Sequence, residues 1–183
     1  RKFLGGEDDR EVYLSMAQVY EKAKQYDNMA GALEKAWDLS ESPDDKETVL
    51  FLRGVMYEKQ KKYEQSEQAF LDLLKINPES ASALNYLGYT LADRNVRLDQ
   101  ARKYVEKALE LDPGNGAYLD SLGWVAYRQG QFDEAERYLR QALEKTSGDP
   151  VIYDHLGDVY MSQGRVKDAI SQWEASLQEW EAT

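Results

Sequence analysis

His155 is the single histidine of a 183-residue chain that carries 34 aspartates and glutamates, 23 lysines and arginines, and no cysteine. Zinc sites draw on several histidines and cysteines, so a multi-histidine or thiolate metal centre has no ligands here. Disulfides and thiolate nucleophiles are excluded by the same count. No Ser or Thr has a base placed beside it by spacing except near His155, and a lone helical histidine reads as a contact or packing residue. With so many carboxylates, acid pairs arise by accident and carry little information about acid–base catalysis. Gly114-Asn115-Gly116 has the look of a phosphate loop, but no strand precedes it and no Lys-Ser/Thr follows. It reads as a turn. The expectation is a chain that is not an enzyme and needs no metal or cofactor.

The formal charge of −11 repels phosphate backbones, and no Lys/Arg-rich stretch reverses this locally. Nucleic acid is therefore not an expected partner. With 42% apolar and 31% charged residues, the chain can bury a core. No apolar run approaches the roughly 18 residues a membrane helix needs. The chain opens at Arg1, and Phe3-Leu4-Gly5-Gly6 lacks the layout of a signal peptide, so it reads as a piece of a longer polypeptide.

What would position any functional group is an internal repeat. Ala17, Gly54, Gly88, Gly123 and Gly157 head five segments, with spacings of 37, 34, 35 and 34 residues. A second column follows at Met29, Ser66, Ala101, Ala135 and Ala169, and a third at Ala36, Leu73, Ala108, Ala142 and Ser176. Pro43, Pro78, Pro113 and Pro150 close the first four segments. Within a segment, apolar residues recur at helical spacing, as in Leu119, Leu122 and Ala126 and then Ala135, Leu139 and Leu143. Small residues belong where two helix axes approach most closely. Gly130 and Gly164 fall between the paired helices, where the chain must leave the right-handed region. Asp149 is placed to cap a helix that starts at Pro150.

The segments Leu119-Asp120-Ser121-Leu122-Gly123-Trp124-Val125-Ala126-Tyr127 and Gly130-Gln131-Phe132-Asp133-Glu134-Ala135 resemble tetratricopeptide repeats, and the resemblance covers about residues 10–183. It implies an all-α, right-handed superhelical solenoid of five helix-turn-helix pairs, with repeats at 10–46, 47–80, 81–115, 116–149 and 150–183. Residues 1–9 would be the tail of a preceding repeat or a linker. Arg53 departs from the family's leucine and is expected to snorkel or form a salt bridge. Unit three carries one extra residue in its inter-helix turn, and unit one a longer exit around residues 41–46. Tyr20, Tyr57, Tyr63, Phe132 and Tyr160 occupy framework columns and are expected in the core.

In this family the first helix of each repeat lines a concave groove. The resemblance therefore places Phe51, Leu52, Val55, Asn85, Tyr86, Tyr89, Asp120, Trp124, Tyr127, Arg128, Asp154, His155 and Asp158 on a partner-binding face. Apolar and aromatic members form a belt across the middle repeats, and Asp120, Asp154 and Asp158 make it acidic. Tyr and Trp bring large contact area with few rotatable bonds. The partner expected is a protein or peptide with apolar anchors and basic residues. Chaperone-binding members of the family hold a C-terminal carboxylate with Lys, Asn and Arg. This sequence offers Asn85 but puts Asp120 and Asp154 in the corresponding columns, which argues against that clamp.

Two other roles stand beside the scaffold. Ile170, Trp173, Leu177 and Trp180 leave the last helix without a polar cap, which points to self-association as a homo-oligomer through the solenoid ends. Alternatively, the chain is an accessory domain of a larger enzyme or protease-adaptor complex. The runs Asn85-Tyr86-Leu87-Gly88-Tyr89 and Asp154-His155-Leu156-Gly157-Asp158 are similar to stretches of large bacterial tetratricopeptide proteins, some of them outer-membrane lipoprotein adaptors. That similarity implies either a bacterial cytoplasmic setting or a periplasmic, outer-membrane-anchored one.

Overall fold

A computed structural model describes residues 7–182, with side chains from residue 9 onward, and among these residues all regular structure is helical. The order is α1 (Glu7–Lys22), α2 (Tyr26–Asp38), α3 (Pro43–Lys59), α4 (Tyr63–Ile76), α5 (Ala81–Asp93), α6 (Leu98–Leu111), α7 (Gly116–Arg128), α8 (Phe132–Lys145), α9 (Pro150–Ser162) and α10 (Val166–Ala182). Consecutive helices pair, and the turn inside each pair passes through the left-handed region, at Lys24 (φ 55°), Lys61 (59°), Asn95 (55°), Gly130 (76°) and Gly164 (76°), with Arg97 (48°) a second such residue in the α5–α6 turn. The sequence marks the turn with glycine in only two of these five places.

Helix starts follow local chemistry. Ser42 accepts a hydrogen bond from the Asp45 amide at 3.1 Å, and the Asp45 carboxylate accepts one from the Ser42 amide at 3.1 Å. This capping box starts α3 at Pro43, four residues before the repeat boundary expected at 47, and the Ser42 cap contributes about 1 kcal/mol. Glu7 to Asp9, expected to precede the first repeat, form the first turn of α1; residues 1–6 lie outside the described residues. Asp149 accepts from the Val151 amide at 2.9 Å with Pro150 at the first helical position, as its spacing predicts. Asn115 accepts from the amides of Ala117 and Tyr118, so Gly114-Asn115-Gly116 is a helix cap.

The small-residue column does what its spacing requires. A Cβ added to Gly123 would lie 2.7 Å from Leu139 Cγ, and one added to Gly54 would lie 2.5 Å from the Phe70 ring. The second column also bonds, since the buried Ser66 hydroxyl donates to the Gly54 carbonyl at 2.8 Å.

The chain divides into two compact units at Ala83/Leu84. In the first, Leu33 and Ala36 of α2 pack with Val49 and Met56 of α3, and the framework residues Tyr20 and Tyr57 close around them together with Tyr26. Arg53, expected to snorkel or pair with an acid, lays its guanidinium over the Trp37 ring at 4.9 Å from the centroid. In the second unit, Val105 of α6 packs with Leu122 and Val125 of α7, while Leu139 and Ala142 of α8 pack with Ile152, Leu156 and Val159 of α9. Framework residues Phe132 and Tyr160 join that second cluster. Within each unit these contacts join the second helix of one pair to the first helix of the next. No helix is long and apolar enough to cross a membrane among the described residues.

Candidate functional site

The second unit builds its site around α7. Every residue of α7 from Leu119 to Ala126 is buried, so the helix is covered on all sides and not along one stripe. Leu122 and Val125 face α6, and Gly123 faces α8. Asp120 and Trp124, one turn apart, meet α9. The Asp120 Oδ1 lies 2.8 Å from His155 Nδ1 across 35 residues of sequence, and both side chains are buried. The imidazole stacks on the Trp124 indole, with centroids 4.2 Å apart and planes 15° apart. Tyr127 stacks on the indole at 4.9 Å, the Arg128 guanidinium sits 5.5 Å from the indole centroid, and Tyr89 of α5 approaches His155 at 6.3 Å.

Electrostatics sort these groups by depth. Burial disfavours the His155 imidazolium, but the hydrogen bond and charge of Asp120, helped by Asp154 and Asp158, outweigh it. The imidazole is therefore more basic than usual. An Asp–His pair of this kind holds the ring in one orientation beneath the aromatic stack. Asp158 goes the other way for a carboxylate. Burial first, and then the like charge of Asp154, push its carboxyl above the usual range, although His155, Trp173 and Arg128 oppose the shift. Asp154 itself is exposed. Excess negative potential therefore collects at the solvent edge of α9.

The residues expected on a binding face thus lie at several depths. Asp120, Trp124 and His155 are buried, Tyr86, Tyr89, Asn85, Tyr127, Arg128 and Asp158 are half-buried, and Asp154 is exposed. In the first unit Val55 is buried, Leu52 is half-buried against the α1–α3 cluster, and Phe51 makes an edge-to-face contact with Phe70 at 5.6 Å. The Asn85 Oδ1 and the Trp124 Nε1 are buried without a hydrogen-bond partner. Trp173 joins the site although spacing assigns it only to the last helix. Its side chain hydrogen-bonds Asp158, and its indole fills the space that a Cβ on Gly157 would take. The signal for it is Gly157 itself, because a glycine in the small-residue column calls for a bulky neighbour on the paired helix. No cluster of His, Asp or Glu suited to hold a metal ion occurs among the described residues.

Three family models described as "Tetratricopeptide repeat" match residues 48–80, 79–145 and 121–182. The TPR repeat-containing protein PA4667 of Pseudomonas aeruginosa is 42% identical over 103 residues, which cover 54% of this chain and 17% of that protein. The chain thus spans about a sixth of the length of this relative. Among solved structures, PilW, a widely conserved type IV pilus biogenesis factor, superposes with a TM-score of 0.81 at 26% identity, covering 94% of this chain and 78% of that one. A thermophilic TPR protein of Thermus thermophilus, TTC0263, gives 0.79 at 22% identity, covering 93% and 91%. Repeats of this kind generally act as non-catalytic scaffolds for protein–protein contacts. With its five registers, the ten helices among the described residues and these matches, the chain belongs to the tetratricopeptide-repeat family and has the all-α solenoid fold of that family.

Proposed function

We propose that this chain is a non-catalytic scaffold that holds a basic, apolar-anchored polypeptide segment on the first-helix face of its second unit. The observation that carries this reading is the state of Asp158. A half-buried carboxylate pressed upward in pKa by burial and by Asp154 sits in surplus negative potential that the chain's own Arg128 does not cancel. A Lys or Arg brought by a partner would relieve it, and charge-assisted bonds to a partly desolvated acid are stronger than those on an open surface. Half-buried Tyr86, Tyr89 and Tyr127 lie on the same first helices and offer rigid aromatic area to the apolar anchors. The buried Asp120–His155 pair and the Trp124 indole stand behind them as a fixed backing. Phe51, Leu52 and Val55 hold the matching columns of the first unit and are assigned the lesser role of apolar support.

Selection of a random displayed peptide library on the wild-type chain and on Asp154→Asn/Asp158→Asn tests this. Peptides that pair Lys or Arg with an aromatic or aliphatic residue are expected on the wild type and not on the variant. Equal enrichment on both, or enrichment of acidic peptides, would sink the reading. The small share of the P. aeruginosa relative that this chain spans favours a second, compatible reading, in which the chain is one module of a larger protein that carries further activities.

A further inference from the structure

The chain has one histidine and no cysteine, so His155 is the one side chain whose ordinary pKa lies near neutrality. On α9 it follows Asp154 directly and stands one turn before Asp158. From α7, the Asp120 carboxylate lies 2.8 Å from its Nδ1, and the Trp124 indole stacks on the ring at 4.2 Å. The Arg128 guanidinium sits 5.5 Å from the centre of that indole, and Tyr89 of α5 approaches the imidazole at 6.3 Å. α10 enters through Trp173, whose side chain hydrogen-bonds Asp158. On α8, Glu136 and Arg140 engage Gln163, Arg165 and Tyr160.

One proton changes the balance of this cluster. With the carboxylates of Asp120, Asp154 and Asp158 ionised, the Arg128 guanidinium and a charged imidazole leave one net negative charge. Loss of the imidazole proton leaves two. The coupling runs in both directions. Burial and the charge of Asp154 raise the Asp158 carboxyl, and the His155 charge lowers it. Burial disfavours the imidazolium, whereas Asp120 first, and then Asp154 and Asp158, favour it. A cation held by the two acids must therefore disfavour the proton on His155 as much as that proton disfavours the cation.

We propose that the protonation of His155 sets how strongly the acidic edge of α9 holds a cationic segment: the neutral ring permits a tight hold, and the charged ring loosens it. This rests on the scaffold reading above and adds to it a partner that is released as pH falls. His155 is buried, so it acts on the partner through Asp154 and Asp158 and not by contact. It is a positioning residue for charge. Protonation of Asp158 works in the same direction, in a window that opens near 3.8, the ordinary aspartate value, well below that of the histidine.

NMR and calorimetry together test this, with an Arg/aromatic peptide selected on the wild-type chain. Arginine keeps its charge throughout, so any pH dependence belongs to the protein. The single imidazole first gives its own midpoint from its ring protons. Peptide affinity is expected to rise about threefold to tenfold between one unit below that midpoint and one unit above it. Saturating peptide should lower the midpoint by about 0.5–1 pH unit, the same free energy read from the other side. Asp120→Asn should move the midpoint down and carry the affinity change with it, and His155→Gln should abolish the change over this range. Wild-type affinity that still needs Asp154 and Asp158 but ignores pH would overturn this inference alone. So would a His155→Gln chain that keeps the wild-type pH dependence, or an imidazole that does not titrate below about pH 10. Equal binding by Asp154→Asn/Asp158→Asn would overturn the scaffold reading, and this inference with it.

Discussion

In α3, Phe51, Leu52 and Val55 occupy three columns that α7 fills with Asp120, Ser121 and Trp124, and α9 with Asp154, His155 and Asp158. The repeat gives these positions the same place on a first helix in both units. In the first unit the apolar residues are absorbed by local packing, with Phe51 on Phe70 and Val55 buried. In the second, the same columns bury a titratable pair under an aromatic stack and leave two acids at the edge. The columns fix where a side chain sits, and the residue type decides whether the position stiffens the core or stores charge for a partner. The turns do not divide in this way, since Lys24 and Lys61 take the left-handed region in the first unit, and Asn95 and Arg97 as well as Gly130 and Gly164 take it in the second.

The largest effect should come from the stack. Trp124→Ala removes a buried indole that stacks with His155 and Tyr127 and is expected to cost about 3–5 kcal/mol in urea unfolding. Leu52→Ala, at a half-buried position in the first unit, should cost clearly less. A reversed order would break the comparison. Next comes the pair beneath the stack. Asp120→Ala leaves a buried imidazole without its acceptor and should lower stability by about 3 kcal/mol in guanidinium titration, with Asp120→Asn losing less because a carbonyl acceptor remains.

These two tests also mark how far the sequence could be read. The columns, the Asp149 cap and the close approach at Gly123 were legible because they follow from spacing within one or two helices. The pairing of Asp120 with His155 was not, because helical periodicity says nothing about which residue of a helix two pairs along will meet a given face. The burial of Trp124 escaped for the same reason: a helix covered on all sides shows no polar stripe to betray its solvent edge. The repeat column sends Arg53 to water or to an acid, whereas a guanidinium can settle on a ring such as Trp37 just as well. The start of α3 at Pro43 is set by the Ser42–Asp45 box, a local signal that the repeat count overrode.

A smaller effect is the response to pH. The His155 pKa is raised on folding, so its stabilisation is complete below about 6.5, the ordinary histidine value, and is lost as pH rises through the higher folded value. Asp158, also raised, contributes stability that is complete below about 3.8, the ordinary aspartate value, and is lost as pH rises through its own higher folded value, a window that opens well below that of His155. Thermal melting should therefore fall as pH is raised above about 6.5, and His155→Gln should flatten that limb. An unchanged slope in the variant would remove His155 from the account. The smallest predicted change lies in the turns. Lys61→Gly relieves a left-handed residue and should raise stability by about 1 kcal/mol in calorimetry, whereas Gly130→Ala should lower it by a similar amount.

The central claim is that the acidic edge of α9, backed by the Asp120–His155–Trp124 cluster, captures a cationic segment. Its most direct test is the calorimetric affinity of a Lys/Arg-aromatic peptide, selected on the wild type, for the wild-type chain and for Asp154→Asn/Asp158→Asn at low and high salt. The account predicts at least a tenfold loss in the variant, equivalent to about 1.4 kcal/mol, together with the loss of most of the salt dependence and no loss of fold stability. Equal affinity and equal salt dependence in the two chains would contradict it.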